Sequence, residues 1–117
     1  MARLPQRAVR RRVTGGDQSL FRYERALQRA LDDTDTRVQA NAVEVIGASG
    51  NESAVDQLMA KLSSPDNRVQ ANAVKALLRL GVREAAEALF KMLHHDNSMH
   101  RISALWLIER MGLFTLA

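Results

Sequence analysis

Arg37-Val38-Gln39-Ala40-Asn41-Ala42-Val43 recurs without change as Arg68-Val69-Gln70-Ala71-Asn72-Ala73-Val74, 31 residues later. A fixed period of this length is the signature of stacked supersecondary units, each too small to bury its apolar face alone. The same offset carries Leu27 to Leu58 and Leu89, Leu31 to Leu62 and Leu93, and Ala42 to Ala73 and Ala104. It also carries Ile46 to Leu77 and Ile108, and Gly50 to Gly81 and Gly112. The chain therefore divides into three units, near 20–50, 51–81 and 82–112.

Each unit reads as two helices. In the second, Val55, Leu58, Met59 and Leu62 follow helical spacing, and Ser63 to Asn67 make a turn containing Pro65. Val69, Ala73, Ala76, Leu77 and Leu80 then give a second helical stripe, and period-two alternation is missing throughout. Gly50, Gly81 and Gly112 stand where a helix exit needs positive φ. Asp35, Asp66 or Asn67, and Asn97 or Ser98 stand where a side-chain oxygen can cap the next helix.

The pattern Asp-x-x-Val-x-x-x-Ala-x-x-x-Leu followed by Gly resembles the short HEAT-like repeats of the phycobilisome-lyase type, over roughly residues 20 to 112. The resemblance implies an all-α, right-handed superhelical solenoid of three helix pairs, whose second helices line a concave surface that binds other proteins. Such repeats commonly pair an Asp in the turn with an Arg six residues later. Here those places hold Asp33 with Gln39, Ser64 with Gln70, and His95 with Arg101, so the charged ladder is broken. Neutral hydrogen bonds from the glutamines and from Asn41 and Asn72 are expected in its place, because a repeated mid-helix Asn needs a partner for its amide.

The 117 residues carry 17 Lys plus Arg against 13 Asp plus Glu. Five of the arginines, Arg3, Arg7, Arg10, Arg11 and Arg12, fall in the first twelve residues; the remaining 105 carry 12 bases and 13 acids, net −1. Residues 1–16 read as a flexible basic arm ending in Gly15-Gly16, 17–112 as the repeats, and 113–117 as an apolar tail. Cysteine is missing, which excludes disulfides, thiolate nucleophiles and Cys-containing zinc sites and points to the cytoplasm. No stretch is long and apolar enough to span a bilayer, so no membrane partner is expected.

Catalytic motifs are missing too: no P-loop, no Gly-x-Gly-x-x-Gly and no His-Glu-x-x-His. HEAT-like di-iron enzymes that this fold resembles carry paired His-Glu dipeptides, and none occurs here. The expectation is a non-catalytic chain with no cofactor. His94, His95 and His100, beside Asp96, could offer metal ligands but read better as solvated turn residues.

The candidate protein-binding residues are those the second helices present: Gln39, Glu44, Gln70, Lys75, Met99, Arg101, Ile102 and Trp106. Met99, Ile102 and Trp106 take the places of Arg37 and Arg68, Ala40 and Ala71, and Glu44 and Lys75, adding an apolar stripe to the last helix. A solenoid end should be polar. The stripe is therefore covered by the tail from Leu113, or it is a patch open to a protein partner, to a second copy in a homo-oligomer, or to further repeats outside this chain; Glu44 and Lys75 mark the Trp106 position as water-facing. The alternative function is a nucleic-acid-associated module using Arg7, Arg10, Arg11 and Arg12.

Overall fold

The computed structural model describes residues 19–50 and 52–113, with side chains from Arg22 onward. The basic arm at 1–16, with Arg7, Arg10, Arg11 and Arg12, lies outside the described residues, as does the tail beyond Leu113. Every regular element among the described residues is helical: α1 (Ser19–Leu31), α2 (Thr36–Ala48), a 3-10 turn (Glu52–Ala54) running into α3 (Val55–Met59), α4 (Asn67–Arg79), α5 (Arg83–Leu93) and α6 (Ser98–Met111). The second helices begin at 36, 67 and 98, so the sequence period is also the period of the backbone.

Local chemistry sets those starts and stops. Asp35, Asp66 and Asn97 are extended and accept the backbone N–H two residues on at 2.9, 3.0 and 2.8 Å, satisfying amides that have no carbonyl inside the helix. Asp66 and Asn97, not Asn67 and Ser98, are thus the caps of the second and third units. Gly50, Gly81 and Gly112 have φ of 67°, 77° and 65°. At Gly81 the exit closes with Gly81 N–H on the Leu78 carbonyl and Val82 N–H on the Leu77 carbonyl, the paired bonds that end a helix at a left-handed residue.

One element is shorter than its pattern predicts. The stripe from Val55 to Leu62 implies two turns of helix, yet α3 stops at Met59. The chain continues in tighter i to i+3 bonds, Lys61 N–H to Leu58 O and Leu62 N–H to Met59 O. Leu62 still packs on the core, and Lys61 is left aimed at the first unit, its Nζ donating to the Leu31 carbonyl at 2.6 Å.

Helix α4 is the keystone of the packing, because it is covered on both sides. Val69, Ala73, Ala76 and Leu77 join Leu31, Ala40, Val43, Ile46 and Leu58 in one buried cluster, while Ala71 and Val74 join Leu89, Met92, Ala104 and Leu107 in a second. Leu62 and Leu78 touch both.

The histidines are not one solvated group. His94 is exposed, its Nδ1 3.0 Å from the Phe90 carbonyl, but His100 is 2% exposed, which corrects the expectation for it. His100 stands at the repeat position of Val38 and Val69, the position that faces the preceding unit, and a polar ring buried there must find partners. Its Nδ1 meets Gln70 Oε1, its Nε2 meets the Pro65 carbonyl at 3.0 Å, and the His95 ring stacks on it at 3.9 Å.

Two stability measurements check this packing. Leu77 is fully buried, so Leu77→Ala is expected to cost about 2–5 kcal/mol in urea unfolding. In an open helix, replacing Gly by Ala is favourable by about 1 kcal/mol. At Gly47, however, an added Cβ would stand 2.5 Å from Ala76 Cβ on α4. Gly47→Ala should therefore reverse that sign and destabilise by about 1–3 kcal/mol, with partial recovery when Ala76→Gly is added.

Candidate functional site

Four positions shared by α2 and α4, three of which recur on α6 at the same 31-residue offset, build a groove across the second helices. Helix α2 contributes Arg37, Ala40, Asn41 and Glu44, and α4 contributes Arg68, Ala71, Asn72 and Lys75. Helix α6 contributes Ile102, Ser103 and Trp106, and Asn67 adds a further amide. The i, i+3, i+4, i+7 spacing places each set on one helical face, and stacking the units aligns the faces. The groove holds about 630 Å³.

Polar rungs hold its floor together. Asn72 Nδ2 donates to the Ala40 carbonyl at 2.9 Å, so α4 is tied to α2, and Asn67 Nδ2 donates to Ser103 Oγ at 2.8 Å, so α4 is tied to α6. These bonds explain why asparagine is tolerated mid-helix at 72: its amide bridges units instead of competing with its own backbone. Asn41, its equivalent on α2, is exposed and lines the groove.

A second rung runs through Glu44, Lys75 and Trp106, which occupy one repeat position. Lys75 Nζ lies 2.9 Å from Glu44 Oε1 and 5.8 Å from the centre of the Trp106 ring. The Arg110 guanidinium lies 5.2 Å from the same ring. Lys75 is therefore not water-facing as expected: only 14% of its side chain is exposed, against 48% for Glu44, because it is drawn between a carboxylate and an indole. Trp106 stays 39% exposed at the end of this ladder. Two cations of the described chain shield part of the indole, and Leu113 packs on the core cluster of the third unit.

The other expected site residues have different surroundings. Gln39, Gln70 and Arg101 share a repeat position, and all three bind turn carbonyls. Gln39 Nε2 donates to Asp33 O at 2.6 Å, Gln70 Nε2 to Leu62 O at 2.8 Å, and Arg101 Nη1 to Asp96 O at 2.9 Å. Gln70 is 8% exposed, which corrects its placement on a presented surface. Lys61 Nζ reaches Gln39 Oε1 at 3.5 Å, and His100 faces Gln70 Oε1, so the broken charged ladder is replaced by amides linking turns to the neighbouring unit. Met99 is exposed and stands outside the groove.

Arg37, Asn41, Arg68, Asn72 and Ser103 also line the groove, although the sequence does not single them out as binding residues. The signal was in the duplicated heptapeptide itself, whose Arg and Asn lie on the face of Glu44 and Lys75. Arg37 also bonds its neighbouring cap, Nη2 to Asp35 Oδ2 at 3.3 Å. The hydrogen bond from that guanidinium, then that from the Arg37 amide, hold the Asp35 carboxyl below the usual carboxylate range. Among the described residues Arg68 pairs with no carboxylate.

No helix among the described residues is long and apolar enough to cross a membrane. No curated protein matches the chain. The family of HEAT repeats does, over residues 23–112. That span runs from the first helix pair to the last positive-φ glycine and covers most of the sequence, so the protein belongs to the HEAT-repeat family.

Proposed function

We propose that this chain is a non-catalytic scaffold that binds a segment of another protein in the second-helix groove and offers the outer face of α6 as a second contact surface. HEAT repeats commonly serve as protein-interaction scaffolds and are generally not enzymes, which supports the general reading. The observation that carries the specific one is the groove: a channel lined in register by all three second helices, at four shared positions on α2 and α4 and three on α6. Within it Arg37, Arg68 and Lys75 outnumber Glu44, and Ile102 and Trp106 supply apolar area at one end. An acidic segment carrying an apolar side chain complements that distribution, with the carboxylates steered to Arg68 and the apolar group seated on Trp106. A cysteine-free scaffold of this kind fits the cytoplasm.

Selection of random displayed peptides against the purified chain tests this reading. Enriched peptides should carry Asp or Glu with a hydrophobic residue and should quench or shift the fluorescence of Trp106, the single tryptophan. Trp106→Ala and Arg68→Glu should each weaken binding by about thirtyfold, while Glu84→Gln, at an exposed position of α5 outside the groove, should leave it unchanged. Binders insensitive to both groove variants would sink the reading.

A further inference from the structure

Two interfaces join the three units, and each has a glutamine amide at its turn. At the first, Gln39 Nε2 donates to the Asp33 carbonyl, and its Oε1 is left to face Lys61 of the second unit at 3.5 Å. Lys61 Nζ also donates to the Leu31 carbonyl at 2.6 Å, so one ammonium serves two acceptors of the preceding unit. At the second, Gln70 Nε2 donates to the Leu62 carbonyl at 2.8 Å, and its Oε1 is left to face Nδ1 of His100 from the third unit. His100 Nε2 lies 3.0 Å from the Pro65 carbonyl. The imidazole therefore stands where the first interface has a cation, with each nitrogen against an oxygen of the preceding unit.

A neutral ring cannot satisfy that arrangement, because it carries one N–H and one lone pair. Turning the Gln70 amide over does not help: its nitrogen would then meet the ring, but its oxygen would face the Leu62 carbonyl. From Leu62 through Gln70 and His100 to Pro65 the line is one hydrogen short unless both ring nitrogens are protonated. His95, whose ring stacks 3.9 Å from that of His100, is in the opposite state. Its Nδ1 accepts the Asn97 N–H at 2.9 Å, and the residues at the same repeat position, Asp33 and Ser64, accept the corresponding N–H through oxygen. A nitrogen that replaces those oxygens holds a lone pair, so the His95 ring is neutral.

We infer that His100 is held as the imidazolium, a proton-dependent clasp that does for the second interface what the Lys61 ammonium does for the first. Burial opposes the charge, and two charge-assisted hydrogen bonds offset that cost. The titratable and charged groups around the ring are already engaged. His95 lies neutral against its face, and Arg101 keeps its exposed guanidinium on the His95 and Asp96 carbonyls. Asp66, beside Pro65, keeps its carboxylate on the Arg68 and Val69 amides. Among the described residues His100 makes no ion pair, so its charge rests on neutral acceptors. The folded stack thus binds a proton that the unfolded chain gives up more readily. Stability from the clasp is present in mildly acidic solution and is lost as pH rises and the ring discharges. Deprotonation leaves one oxygen facing a lone pair and loosens the hold on the third unit, which carries Trp106. A segment lying across α4 and α6 then binds less tightly at alkaline pH, a consequence that rests on the groove reading.

Proton–nitrogen correlation NMR of the histidine rings in the full chain tests the clasp without a ligand, and so separately from the groove reading. At about pH 7, where an unperturbed imidazole is mostly neutral, both nitrogens of His100 should carry a proton and His95 should be the Nε2–H tautomer. Unfolding in urea gives a second measurement. His95→Ser removes the other stacked ring and keeps an oxygen for the Asn97 amide, as Ser64 does for Asp66. Its urea midpoint should fall as pH rises from about 6 to about 8. The double variant His95→Ser/His100→Val, with the residue that Val69 supplies at the same repeat position, should lack that fall. A neutral His100 ring at about pH 7 would overturn the proposal, as would the same pH dependence in both variants.

Discussion

Helix α4 must bury two faces at once, and most of the molecule follows from that requirement. One face, with Val69, Ala73, Ala76 and Leu77, closes the first unit; the other, with Ala71 and Val74, receives the third. A helix apolar on one stripe can rest on a core, but one apolar on two stripes needs a neighbour on each side. The small residues set how closely those neighbours come. Gly47 against Ala76 lets α2 approach α4 at a distance that a single added methyl would prevent. Stability is thus shared among units, and no unit could keep its core dry alone.

Polar chemistry follows the same division. Buried or half-buried amides, an ammonium, a hydroxyl and one imidazole pass hydrogen bonds from unit to unit: Lys61 to Leu31, Asn72 to Ala40, Asn67 to Ser103, and His100 to Gln70 and Pro65. Every buried side-chain nitrogen or oxygen among the described residues has a partner. Directional bonds of this kind contribute little net energy each, but they fix the rotation of one helix on the next, which apolar contact alone leaves loose. Groove alignment depends on that rotation. Asn72 and Asn67 lie on its floor and tie α4 to both neighbours, so the surface proposed to bind a partner is held by the same bonds that set the stack.

The repeat gives the departures their meaning. Glu44, Lys75 and Trp106 share one position and form a graded ladder from carboxylate to cation to indole, which makes the two ends of the groove chemically different. A segment lying along such a groove would be read with a direction, its charged and apolar parts sorted to opposite ends.

The sequence by itself determined the period, the turns before the second helices, their glycine exits, and the stripe of core residues. Each of these is local: a capping oxygen, a glycine with positive φ, or a spacing of three and four decides it within a turn or two of chain. It determined much less about the side chains between units. Gln70 and Lys75 look like surface residues in a one-dimensional reading, since both are polar and stand on the second helix. Stacking buried the first under His100 and drew the second between Glu44 and Trp106. His100 itself looks like a solvated turn residue, although its equivalence to Val69, which is fully buried, is enough to place it inward. Only the tertiary structure decided these positions, because which face of a helix meets its neighbour depends on the crossing of two helices, and that crossing is set by packing contacts some thirty residues apart in the chain.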